Sequence, residues 1–73
     1  MKFDNAIAFS FAVQQTLEHM VEHAGKHGKV TTVAEISETI VRHPHGGTAN
    51  FFRKHMEVAY KVAIEVSLEK VVN

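Results

Sequence analysis

One proline followed within three residues by two glycines, at Pro44, Gly46 and Gly47, constrains this chain more than any other feature. Pro44 has no amide hydrogen to donate and disfavours helical angles at His43, so a helix arriving from the N-terminal side must stop near Arg42. Gly46 and Gly47 admit backbone angles that other residues resist. Thr48 or Asn50 then offers a short side-chain oxygen that can accept from a free amide at the start of a new helix. No further glycine or proline follows. Residues 42–50, Arg-His-Pro-His-Gly-Gly-Thr-Ala-Asn, therefore form a joint between two helical blocks.

Before the joint, the spacing predicts a first helix capped by Asp4 and running to about Ala24, with Gly25 and Gly28 as stop signals. Val13, Leu17, Met20, Val21 and Ala24 share one side of its wheel, and Gln15, Glu18, His19, Glu22 and Lys26 the other. Residues 7–13 alternate large with small, the period of a strand. They are assigned to the helix because alanine is a strong helix former, no turn separates the two patterns, and an isolated strand would have nothing to pair with. Residues 24–30 read as a loop. Thr32 and Glu35 match the capping box, in which hydroxyl and carboxylate each satisfy a free N–H, and Val33, Ile36 and Ile40 continue at helical spacing until Pro44 closes the second helix.

The third helix is expected from about Asn50 to Val71, about 33 Å at 1.5 Å per residue. That is long for so small a domain, so it should bend, break or overhang the core. Phe52, Met56, Ala59, Ala63 and Val66 form its central stripe, with Phe51, Tyr60 and Val62 beside them. Arg53, Glu57, Lys61, Glu65 and Glu69 run along the opposite face as a solvated row of mostly alternating charge. The fold expected is all-α: a compact single-domain bundle of three helices, four if the last one breaks, with the second and third disposed like a helix-turn-helix.

Seventy-three residues bury only about 60% of the surface the unfolded chain exposes, and with no cysteine there is neither a disulfide nor a thiolate metal site. Stability must come from helix packing or from a partner. The apolar run at residues 6–13 falls far short of the roughly 20 residues a membrane span needs. Asp4 and the Gln14-Gln15 pair suit a secretory signal poorly, so the expected location is the cytoplasm, away from membranes. Formal net charge is zero, which argues against a general nucleic-acid binder. Its distribution is uneven. Across residues 42–61 Arg42, Arg53, Lys54 and Lys61 stand against Glu57 alone, with His43, His45 and His55 in the same segment, and from Val62 onward Glu65, Glu69 and Lys70 return one negative charge. Arg42, His43, His45, Asn50, Arg53, Lys54 and Lys61 are accordingly the candidate partner-binding residues.

Two constellations invite a chemical reading. His19, Glu22 and His23 spell HxxEH, the inverted zinc-protease signature, with two imidazoles one helical turn apart and His27 extending the row. Catalysis would need a third ligand and a cleft, and so short a chain has little scaffold for either, so an ordinary polar helix face is expected. With no recognisable nucleophile setting and no glycine-rich phosphate loop, no enzymatic activity, cofactor or metal is expected. The second constellation is architectural. Residues 30–40, a break, and residues 48–55 resemble the helix-turn-helix portion of small bacterial regulators, in which Asn50, Arg53 and Lys54 would sit at the start of the helix that enters the major groove. The seven residues 43–49 exceed the usual short turn. Five phenylalanines, Phe3, Phe9, Phe11, Phe51 and Phe52, are more aromatic surface than such a core readily hides, and an exposed remainder would anchor a protein partner.

Taken whole, from Met-Lys-Phe-Asp-Asn at the start, through the joint, to Leu-Glu-Lys-Val-Val-Asn at the end, the chain resembles small transcription regulators of lytic bacteriophages that bind host RNA polymerase. The resemblance implies a non-enzymatic inhibitor that docks on the large subunits of the bacterial polymerase, suppresses sigma-dependent initiation and promotes antitermination, with any DNA contact secondary. Two other readings stand beside it. One is a helix-turn-helix DNA-binding repressor. The other is a structural helical homodimer whose last helices pair through Val62, Ile64, Leu68, Val71 and Val72.

Overall fold

The computed structural model describes the backbone of residues 6–72 and the side chains of residues 6–65. Asp4, the expected first cap, lies outside the described residues. So do Phe3 and the side chains of Val66, Leu68, Glu69, Val71 and Val72. The chain is an all-α bundle of three helices, α1 (Ala6–Lys26), α2 (Val33–Arg42) and α3 (Gly47–Val72). The last helix continues through 26 residues without a break, so the four-helix variant is excluded.

The alternating stretch at the start of α1 is helical, and its alternation has a packing meaning. Ala8, Ala12, Thr16 and Met20 recur every four residues and form the buried stripe, while Phe9 and Phe11 remain partly exposed. The larger Val13, Leu17, Val21 and Ala24 of the expected stripe are only half-buried. Small residues take the closest approach because they let two helix backbones come together, toward the short end of the usual interaxial range of about 8–10 Å. In α3 the buried counterparts are Ala49 and Ala63, with Phe52, Met56, Ala59 and Tyr60 half-buried around them. Val62, expected beside the core, is instead 47% exposed. His23 meets Phe51 and His19 meets His55, while Thr16 shares a groove with Val58 and Ala59; falling numbers on α1 match rising ones on α3, so the two run antiparallel.

α1 persists two residues beyond Ala24, through Gly25, and ends by a Schellman turn. Gly28 adopts φ 76°, its N–H donates to Gly25 O at 3.1 Å, and Lys29 N–H donates to Ala24 O at 2.8 Å. Thr32 then caps α2, its hydroxyl accepting from Glu35 N at 3.2 Å. Only half of the expected capping box forms, because the Glu35 carboxylate accepts from the Thr31 hydroxyl at 2.8 Å. Ile36 and Ile40 are half-buried and no residue of α2 is fully buried, so this helix packs against the outside of the α1/α3 pair rather than within a shared core.

The joint is tighter than its sequence suggests. α2 ends at Arg42 and α3 begins at Gly47, leaving four connecting residues, 43–46, where a break of seven was expected. His43 caps α2 by donating to Thr39 O at 2.9 Å, and Gly46 N–H closes a turn onto His43 O at 3.0 Å, with Pro44 at the position its fixed φ suits. Asn50 N–H donates to Gly46 O at 3.0 Å, so Thr48 and Asn50 lie inside the first turn of α3 rather than capping it. Neither joint glycine has the positive φ that motivated its expected role. Gly46 serves instead by size, since a Cβ there would stand 3.3 Å from both the Cβ and the carbonyl oxygen of His43. Among the described residues only Gly28 uses the left-handed region. Gly28→Ala should therefore lower stability by about 1 kcal/mol, whereas Gly47→Ala, in open space, should be neutral or stabilising by about 0.5 kcal/mol. Thermal melts of the two variants check this, and equal midpoints would show that the α1 terminus does not depend on its left-handed residue.

Candidate protein-binding surface

Folding distributes the seven candidate residues over three neighbourhoods. Arg42 stands at the last turn of α2 and pairs with Glu38 one turn back. Together with His43 it borders a shallow polar hollow shared with Thr31, Glu35, Glu38 and Thr39, so this end of the basic segment faces two carboxylates of its own helix. An exposed pair of this kind contributes no more than a few tenths of a kcal/mol, which leaves Arg42 able to exchange its partner.

The second neighbourhood is the joint itself. Arg53, one and a half turns into α3, reaches back over it: Nη1 donates to Pro44 O at 2.9 Å, and Nη2 donates to Asn50 Oδ1. Asn50 and Arg53, expected to meet bases or a partner, thus spend polar atoms on each other and on the loop. A guanidinium suits this role because its planar fork presents several N–H groups at fixed angles. The consequence is a short loop fastened at Pro44, with His43, Pro44 and His45 exposed on its outer side.

Lys54 and Lys61 form the third. Seven residues apart, they lie within about 20° of one another around α3, and Lys54 stands about 100° from Arg53. Both are exposed, on the flank that also carries the exposed Val58 and Val62.

Sequence reading missed an aromatic cluster at the α1/α3 crossing. Phe51 and His55 stack with ring centroids 3.9 Å apart, His55 lies 5.2 Å from His19, Phe51 lies 5.2 Å from His23, and His23 lies 4.4 Å from His27. Each such contact adds about 0.5–1.5 kcal/mol beyond area burial in favourable cases. His55 Nδ1 stands 3.0 Å from Phe51 O. A carbonyl only accepts, so this contact requires the proton on Nδ1. The signal was available: His19, His23 and His27 recur every four residues on one helix, and Phe51 and His55 do so on another. The sequence places His19 on a polar face of one helix and Phe51 beside the core stripe of another, and nothing local says that the two rows will cross.

The HxxEH match does not assemble in this arrangement. His19 stacks across the helix pair, while Glu22 forms an ion pair with Lys26 at 3.6 Å. Among the described residues no three histidine or acidic side chains converge where they could hold a metal ion. No described helix is long and apolar enough to cross a membrane. Comparison of the chain with protein-family models, with curated proteins and with solved structures finds no match.

Proposed function

We propose that this chain is a non-enzymatic transcription regulator that docks on the large subunits of bacterial RNA polymerase, opposes sigma-dependent initiation at host promoters and promotes antitermination. The identity of the partner rests on the likeness of the running sequence to small lytic-phage regulators. The observation that supports a docking role is the fastened joint: Arg53 ties the loop at Pro44 and leaves His43, Pro44 and His45 projecting, with Arg42 beside them and the Lys54/Lys61 row around the helix. A loop ordered before binding loses less conformational freedom on docking, which favours affinity from a small surface. Such a patch steers encounter with an acidic surface, while apolar anchors hold the complex.

The test is binding of the purified chain to polymerase core and holoenzyme in moderate salt, together with run-off transcription. Retention by polymerase and loss of sigma-dependent initiation are expected, without retention of duplex DNA. Lys54→Glu with Lys61→Glu should slow association about tenfold or more and change dissociation little, because exposed charges act mainly on the on-rate. An unchanged on-rate would remove the lysine row from the interface.

A second reading, a DNA-binding repressor, is favoured by one observation, the four-residue connection between α2 and α3, which is the length helix-turn-helix units use. It predicts duplex binding that falls with salt at a logarithmic slope of about 0.9 per phosphate contacted. Operator binding of that kind, with polymerase neither bound nor inhibited, would replace the polymerase reading.

A further inference from the structure

Two histidines from different helices line one groove at the α1/α3 crossing. His19 of α1 and His55 of α3 have ring centroids 5.2 Å apart, with planes 24° from parallel. Gln15, Thr16, Val58 and Ala59 complete the groove, whose volume is about 260 Å³. A drug-sized ligand takes a pocket of about 300–1,000 Å³, whereas one water occupies about 30 Å³, so the space suits a small hydrated species.

The two rings are held unequally. His55 is half-buried, stacks on Phe51 with centroids 3.9 Å apart, and donates from Nδ1 to Phe51 O at 3.0 Å. With the proton on Nδ1, the free lone pair of the neutral ring is on Nε2. Metal-ligating histidines characteristically donate their other ring nitrogen to such a carbonyl, because the hydrogen bond fixes tautomer and orientation and raises the basicity of the ligating nitrogen. His19 is exposed, so its ring is free to adjust. On a tetrahedral ion with metal–nitrogen bonds of about 2.0–2.1 Å, two imidazole rings have their centres roughly 5 Å apart. The observed separation matches that spacing.

We infer that His19 and His55 form a site for a divalent transition-metal ion of the zinc and copper class, bridging α1 to α3. Imidazole selects such ions over magnesium and calcium, which take oxygen ligands. Two protein ligands leave the remaining positions to water, in keeping with the lack, among the described residues, of three histidine or acidic side chains placed to hold an ion. This is not the catalytic site that HxxEH spells, since the partner of His19 stands 36 positions away on another helix. Its ligands meet only in the folded chain, so binding must stabilise the fold. His23 and His27, with ring centroids 4.4 Å apart, form a rival pair within α1 that ties no two helices together. The inference does not depend on the polymerase reading.

Thermal melts and calorimetric titrations of the untagged full chain with Zn²⁺ and with Cu²⁺, each against a chelated sample, test the proposal. With the ion at about 100 times its Kd the melting midpoint should rise by about 10 °C or more. Cu²⁺ should bind more tightly than Zn²⁺. His19→Gln should weaken binding at least about tenfold and remove the rise, yet barely move the metal-free midpoint because the side chain is exposed. His27→Gln should change neither quantity. His55 is more deeply packed, so its role is read without mutation: in ¹⁵N spectra, Zn²⁺ should shift Nε2 and leave the Nδ1 proton in place. No rise with either ion, a rise kept in His19→Gln, or coordination at His55 Nδ1 would each overturn the inference. Binding lost in His27→Gln but not in His19→Gln would assign the ion to the α1 pair, and equal weak binding by every variant would mean an adventitious ion only.

Discussion

Replacing Ala12 by leucine should unfold this protein at physiological temperature or bring it close to unfolding. Ala12 is fully buried at 0% exposure, midway along the stripe where α1 meets α3, and among the described residues every buried apolar residue except Met20 is an alanine. Three added carbons have nowhere to go unless the helices separate, and separation would loosen Ala8, Thr16, Ala49 and Ala63 at once. Overpacking of a close-fitted site costs about 1–3 kcal/mol. In a 60–100-residue domain each kcal/mol moves the melting midpoint by about 4–8 °C, so a fall of about 10–20 °C is expected. Leucine at position 9, already partly exposed as Phe9, makes the control. Near-equal midpoints for Ala12→Leu and Phe9→Leu would show that the helices are not held at alanine distance.

Thr16→Val should have a large effect of opposite sign. Thr16 is 2% exposed and is the one buried polar residue among the described residues, yet its hydroxyl has no hydrogen-bond partner. An orphaned buried polar group forfeits about 1–3 kcal/mol of hydration without return. Valine keeps nearly the same shape, removes the hydroxyl and has a similar helix propensity. Stabilisation of about 1–2 kcal/mol should follow, a rise of roughly 5–15 °C. A lower midpoint for Thr16→Val would mean that the hydroxyl is bonded in solution, the i−4 carbonyl of Ala12 being the nearest helical acceptor type. Alanine at the same position separates the two effects, since it removes the hydroxyl but leaves a void.

What the chain states about itself through near neighbours was legible. Pro44 ends α2, Thr32 caps it, the stretch 7–13 is helical, and Arg53, Glu57, Lys61 and Glu65 face outward, all as their local spacing implies. Each outcome depends on contacts within about one helical turn, which neighbouring residues specify directly. Other features were settled only when the helices met. The glycine in the left-handed region is Gly28 rather than a joint glycine, and the joint closes in four residues. The alanines of α1 are buried in preference to Val13 and Leu17 because hydrophobicity ranks side chains by area, whereas a helix crossing selects the smallest at the point of closest approach. The exposed Arg53 side chain reached back to Pro44, and His19, His23, Phe51 and His55 were brought into one stack. The tie from Arg53 to Pro44 and the ring pairs between α1 and α3 span 9 to 36 positions of sequence, and they follow from the rotation of each helix about its axis, which no single segment determines and the packing of all three does.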